Sequence, residues 1–114
     1  MSNSIEDHFS NKDPEIRAIY QAILNASKEF GAVKEEAKKT SIHLVRRSAF
    51  AGVATRKNAV ILTVKSKTDL KSPRIARRQQ ASASRWHLEL RLSSPQHVDK
   101  ELKKWLKSAY EISG

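Results

Sequence analysis

Between Lys39 and Lys65 the chain runs KTSIHLVRRSAFAGVATRKNAVILTVK, three short segments of alternating residues separated by two compact basic turns. A side-chain period of two puts successive residues on opposite faces of a strand, so this stretch predicts an antiparallel meander. In the first segment Ile42 and Leu44 alternate with Ser41, His43 and Val45, and Arg46-Arg47-Ser48 turns the chain. In the second, Phe50, Gly52 and Ala54 share one face, and Ala51, Val53 and Thr55 the other. Gly52 marks a bulge or a close approach to a helix. Arg56-Lys57-Asn58 makes the second turn, where asparagine tolerates positive φ. The third segment sets Val60, Leu62 and Val64 against Ile61, Thr63 and Lys65.

The flanks supply helices. Asp13-Pro14-Glu15 combines an N-cap residue, proline at the first helical position and an acid in the first turn. Ile16, Ile19, Tyr20, Ile23, Ala26 and Phe30 then recur at helical spacing, Gly31 stops the run, and Phe9 folds over its start. Residues 32–38 alternate and carry charges suited to a short edge strand. The connection 66–84 breaks the apolar rhythm. Ser72-Pro73 can cap a turn or two of helix through Ile75, and the small polar QQASAS follows; a connection this long is functional or mobile. Trp86, Leu88, Leu90 and Leu92 alternate with His87, Glu89 and Arg91 as a clear strand. After the turn at Ser93-Ser94-Pro95, Val98, Leu102, Trp105, Leu106 and Ala109 form the apolar stripe of a closing helix. Both tryptophans are in phase with leucines, which assigns them to the core. The expected fold is a single α+β domain over 1–114 in the order α-β-β-β-β-β-α. Its two layers are a five-stranded antiparallel sheet and two helices on one face of it.

At 114 residues the chain can bury a substantial core. It has no cysteine, which excludes disulfides and thiolate metal sites. Its three glycines, at 31, 52 and 114, cannot build a phosphate-cradling loop. His8, His43, His87 and His97 have neither zinc-helix spacing nor a nucleophile context, and Glu35 and Glu36 point to opposite faces of a strand. No enzyme, metal site or cofactor is expected. The polar N-terminus MSNSIEDHFSNKDPE has no signal-peptide pattern and the longest apolar runs are too short to span a bilayer. A cytoplasmic protein without membrane insertion is the expectation.

Charge is the strongest functional signal. The net charge is +10, but residues 39–91 alone hold thirteen basic and two acidic side chains. An imbalance so localised points to a positive surface and an anionic partner, nucleic acid first. Phosphates would be met by Arg46, Arg47, Arg56, Lys57, Lys71, Arg74, Arg77, Arg78 and Arg85. His87, outward on its strand, would stand beside Arg91. The outward positions Ser41, His43, Val45, Arg47, Ala51, Val53 and Thr55 contain no aromatic platform for stacking bases. The alternatives are a protein-interaction or accessory domain whose positive face is merely solvated, and a small-anion pocket.

Several landmarks follow one another in a recognisable order: the DHF near the start, Lys39-Thr40-Ser41-Ile42, Phe50-Ala51-Gly52-Val53, Ser72-Pro73-Arg74, Trp86-His87, and Lys104-Trp105-Leu106 with Ala109-Tyr110-Glu111. Over nearly the whole chain they resemble the bacterial family called domain of unknown function 5655. The resemblance implies a small α+β domain with a helix-covered antiparallel sheet. It also makes Lys39 and His87 candidates for a small polar site on the open sheet face.

Overall fold

The computed structural model describes residues 4–114; Met1–Asn3, the start of the polar N-terminal stretch, lie outside them. A 3-10 turn at Glu6–Phe9 leads into helix α1 (Pro14–Lys28). Six strands follow: β1 (Lys34–Ala37), β2 (Ile42–Val45), β3 (Ala49–Thr55), β4 (Val60–Ser66), β5 (Ile75–Ser82) and β6 (Arg85–Leu92). A second 3-10 turn at Pro95–His97 precedes helix α2 (Lys100–Glu111). The sheet order is β1-β2-β3-β4-β6-β5, antiparallel throughout.

The fold class is as expected, but the sheet has six strands rather than five. The additional strand is β5, which lies inside the 66–84 connection and pairs along β6. Only Ile75 of its eight residues is buried. A strand exposed on both faces needs no apolar alternation, so nothing in its hydropathy announces it. Ser72 and Pro73 start a turn into this strand, and no helix forms there.

Alternation builds the core. Ile42 and Leu44, Ala51 and Val53, Val60, Leu62 and Val64, and Leu88, Leu90 and Leu92 all point to one side of the sheet and are buried there. Ile16, Ile19, Tyr20 and Ile23 of α1 and Leu102, Leu106 and Ala109 of α2 complete the same cluster. Each fully buried Leu or Ile contributes roughly 1.5–3 kcal/mol over its exposed state. Trp86 and Trp105 pack against this cluster but are only half-buried. The Tyr20 hydroxyl donates to Glu35 of β1, and burial, then that carboxylate, raises its pKa far above the phenol range.

Local chemistry sets the helix ends. Asp13 occupies the N-cap of α1 before Pro14, although its side chain makes no capping hydrogen bond. Asp99 does cap α2, its Oδ1 accepting the Leu102 N–H at 3.1 Å. Ser94 caps the short turn before it, accepting the Gln96 N–H. Two contacts tie the first 3-10 turn to the sheet: His8 Nε2 donates to the Lys38 carbonyl at 2.8 Å, and Thr55 Oγ1 donates to the His8 carbonyl at 2.7 Å.

Candidate anion-binding face

The helices cover one face of the sheet. Register fixes what the other presents. Glu36, His43, Gly52, Thr63, Glu89 and Arg77 form one row across β1, β2, β3, β4, β6 and β5. Lys65, His87 and Gln79 form the next, and Ile61 pairs with Arg91 on the far side. Neighbouring strands are about 4.8 Å apart, so these side chains stand within reach of one another.

The phase of β3 differs from the sequence reading. Leu44 pairs with Ala51 but Val45 pairs with Ala49, so Phe50 is the extra residue of a bulge. The bulge lets Phe50 and Ala51 both face inward, and Phe50 meets the Tyr110 ring edge-on with centroids 5.3 Å apart. Ala51 and Val53 are therefore core residues, not outward ones, while Gly52 and Ala54 belong to the open face. Gly52 is not itself the bulge and approaches no helix.

The result is a shallow dish of about 240 Å³ in the middle of the open face. Gly52, Ala49 and Ala54 give it a small apolar floor; His43, Thr63, Lys65 and His87 stand around it. His87 lines this dish. Lys39, in the turn between β1 and β2, does not, and lies towards the opposite end of the strands from the His87 row.

The remaining basic residues divide into engaged and free. Arg74 is the most engaged: its Nη1 lies 2.9 Å from Asp99 and 3.2 Å from Glu101, and its Nη2 donates to the His97 carbonyl at 2.7 Å. Asp69 lies 2.7 Å from both Lys71 Nζ and Arg78 Nε. The Lys71 hydrogen bond, followed by the charge of Arg78, holds that carboxyl below its ordinary pKa. Arg46 stacks 4.5 Å above the Tyr110 ring and donates to the Tyr110 carbonyl at 3.0 Å, a cation at the C-terminal end of α2. These four are structural partners first.

By contrast Arg47, Arg56, Lys57, Lys65, Arg77, Arg85 and Arg91 have no carboxylate within ion-pair distance among the described residues. Arg91 donates to the Asn58 side chain at 3.3 Å, which draws it towards the Arg56-Lys57 turn. Arg85 is the first residue of β6, beside the tight β5–β6 turn, and Arg47 lies in the β2–β3 turn, where the Ser113 carbonyl accepts the Arg47 N–H. Lys65 and His43 escaped the sequence-based list of site residues. The phase of Leu62 and Val64 does place Lys65 outward, but the dish that gathers it with His43 exists only once β2, β3, β4 and β6 are aligned.

Among the described residues no group of three His, Asp or Glu side chains could hold a metal ion, and no helix is long and apolar enough to cross a membrane. The architecture is that of a small two-layer α+β domain with one sheet face uncovered. The chain belongs to the family described as Domain of unknown function (DUF5655), whose profile matches residues 5–113. No curated protein and no solved structure matches it significantly.

Proposed function

We propose that this protein is a non-catalytic binding module whose open sheet face accepts an anionic partner, with nucleic acid the partner class its chemistry fits best. One observation carries the reading. Lys65, Arg77, Arg91, His43 and His87 share the uncovered face, with no carboxylate at ion-pair distance among the described residues; the acids in register with them are Glu89, opposite Arg77, and Glu36, opposite His43. Arg56 and Lys57 extend the same positive edge beyond Arg91. A fold gains nothing from gathering like charges on one face, whereas a phosphate backbone supplies their counter-charges.

The test is a titration of fluorescent single-stranded and duplex DNA, and of RNA, at two salt concentrations. With about six phosphate contacts, affinity falls roughly a thousandfold between 50 and 200 mM salt, somewhat less for a single strand than for a duplex. Replacing Arg77 and Arg91 with alanine weakens binding and flattens that salt slope by about two contacts' worth. Absence of binding at low salt overturns the reading.

A further inference from the structure

Gly52 sits in the interior of β3 on the open face, where a strand ordinarily gains from a side chain. Nothing around it demands glycine. Its φ is not positive, and a Cβ placed there would meet His43 Cδ2 at 3.8 Å and Thr63 Cβ at 4.0 Å, which is ordinary contact. The residue weakens its strand and relieves no clash. What it does is leave a hole: the floor of the dish is open because position 52 has no side chain.

That dish has a definite chemistry. Its floor is apolar and nearly flat, two imidazoles and the Thr63 hydroxyl border it, and the Lys65 ammonium stands at its edge beside His87. A flat body with hydrogen-bonding edges and one nearby negative charge is complementary to it, and a volume of about 240 Å³ admits one nucleobase with part of its sugar. Imidazoles can stack on bases, as larger aromatics do. A duplex hides its base faces in the stack, while a single strand can splay one out.

We infer that the dish receives one unstacked nucleobase of a single strand, with the adjoining phosphate on Lys65; this rests on the nucleic-acid reading above. It assigns the module a preference for single strands and makes Gly52 the residue that keeps the base site open. The missing aromatic platform is replaced by a concave one.

The experiment compares a short single-stranded oligonucleotide, a duplex of the same sequence and an abasic strand of equal length, each titrated against wild type, Gly52→Ala, Gly52→Val and Lys65→Ala. Wild type should prefer the base-bearing strand over the abasic strand by about tenfold or more, the scale of one stacked base. Gly52→Val should erase that preference without lowering Tm. Gly52→Ala should reduce it, and serves as the smaller variant where valine impairs folding. Lys65→Ala should weaken binding to both strands equally. In parallel, a nucleoside 5′-monophosphate should shift the Gly52 amide and the His43 and His87 ring resonances, while ribose 5-phosphate should not. Equal wild-type affinity for the base-bearing and abasic strands overturns the base site and leaves the phosphate-binding face standing. No affinity for any strand overturns both.

Discussion

The Arg74 guanidinium lies 2.9 Å from Asp99, and the same carboxylate oxygen accepts the Leu102 N–H at 3.1 Å. One pair thus links the start of β5 to the cap of α2, across 25 residues of sequence. Arg74 is only partly exposed and also lies 5.9 Å from the Trp105 ring centroid. A cation committed in this way belongs to the fold before it belongs to any ligand.

Arg74→Ala should therefore lower stability by about 1 kcal/mol through the lost pair and stacking contact, and Asp99→Ala by about 1–2 kcal/mol through the lost cap. Urea denaturation reads both. The exposed Arg77 should behave inversely, with Arg77→Ala changing stability by less than about 0.5 kcal/mol while weakening nucleic-acid binding. Equal effects of Arg74→Ala and Arg77→Ala on binding would show that ion pairing does not separate the two classes.

Acid sensitivity follows from the same cap. The Leu102 N–H, then Arg74, holds the Asp99 carboxyl below its ordinary pKa, and Lys71 does the same for Asp69. A depressed native pKa gives stabilisation that is complete above the unfolded value near 4 and is lost as pH falls through the lower native value. Tm should decline below about pH 5, and Asp99→Asn, which retains a capping oxygen, should flatten that decline. A variant curve parallel to wild type down to pH 2 would remove Asp99 from the explanation.

Gly31 and Gly52 should respond oppositely to a methyl group. Gly31 has φ of +148°, and a Cβ there would lie 2.5 Å from the Tyr110 hydroxyl, which donates to the Ala32 carbonyl at 3.0 Å. Gly31→Ala should cost about 1–3 kcal/mol, whereas Gly52→Ala should leave stability unchanged or raise it. Midpoints of urea unfolding compare them directly. Destabilisation by Gly52→Ala would indicate that the open floor has a structural purpose.

Much of this molecule could be read from residue order alone. Ile42 to Leu44, Val60 to Val64 and Trp86 to Leu92 alternate because one side of each faces helices. Leu102 to Ala109 repeats at helical spacing because one stripe of α2 lies on the sheet. Two features stayed hidden for definite reasons. β5 is an edge strand exposed on both faces, so its Arg and Gln residues carry no hydropathy signal. In β3 the bulge at Phe50 shifts the alternation by one residue, and period-two reasoning then assigns Ala51 and Val53 to the wrong side.

The sequence by itself determined the fold class and the location of the positive charge, because hydrophobic period and local composition are properties of neighbouring residues. Only the tertiary structure decided which cations are free. Arg74 is engaged by Asp99 and Glu101, Arg78 by Asp69, and Arg46 by the end of α2, while Arg77 and Arg91, on the open face, have no carboxylate at ion-pair distance among the described residues. It also decided that His43, Gly52, Lys65 and His87 share one dish. Such assignments depend on register between strands distant in sequence, and register is fixed by packing of the whole sheet against its helices.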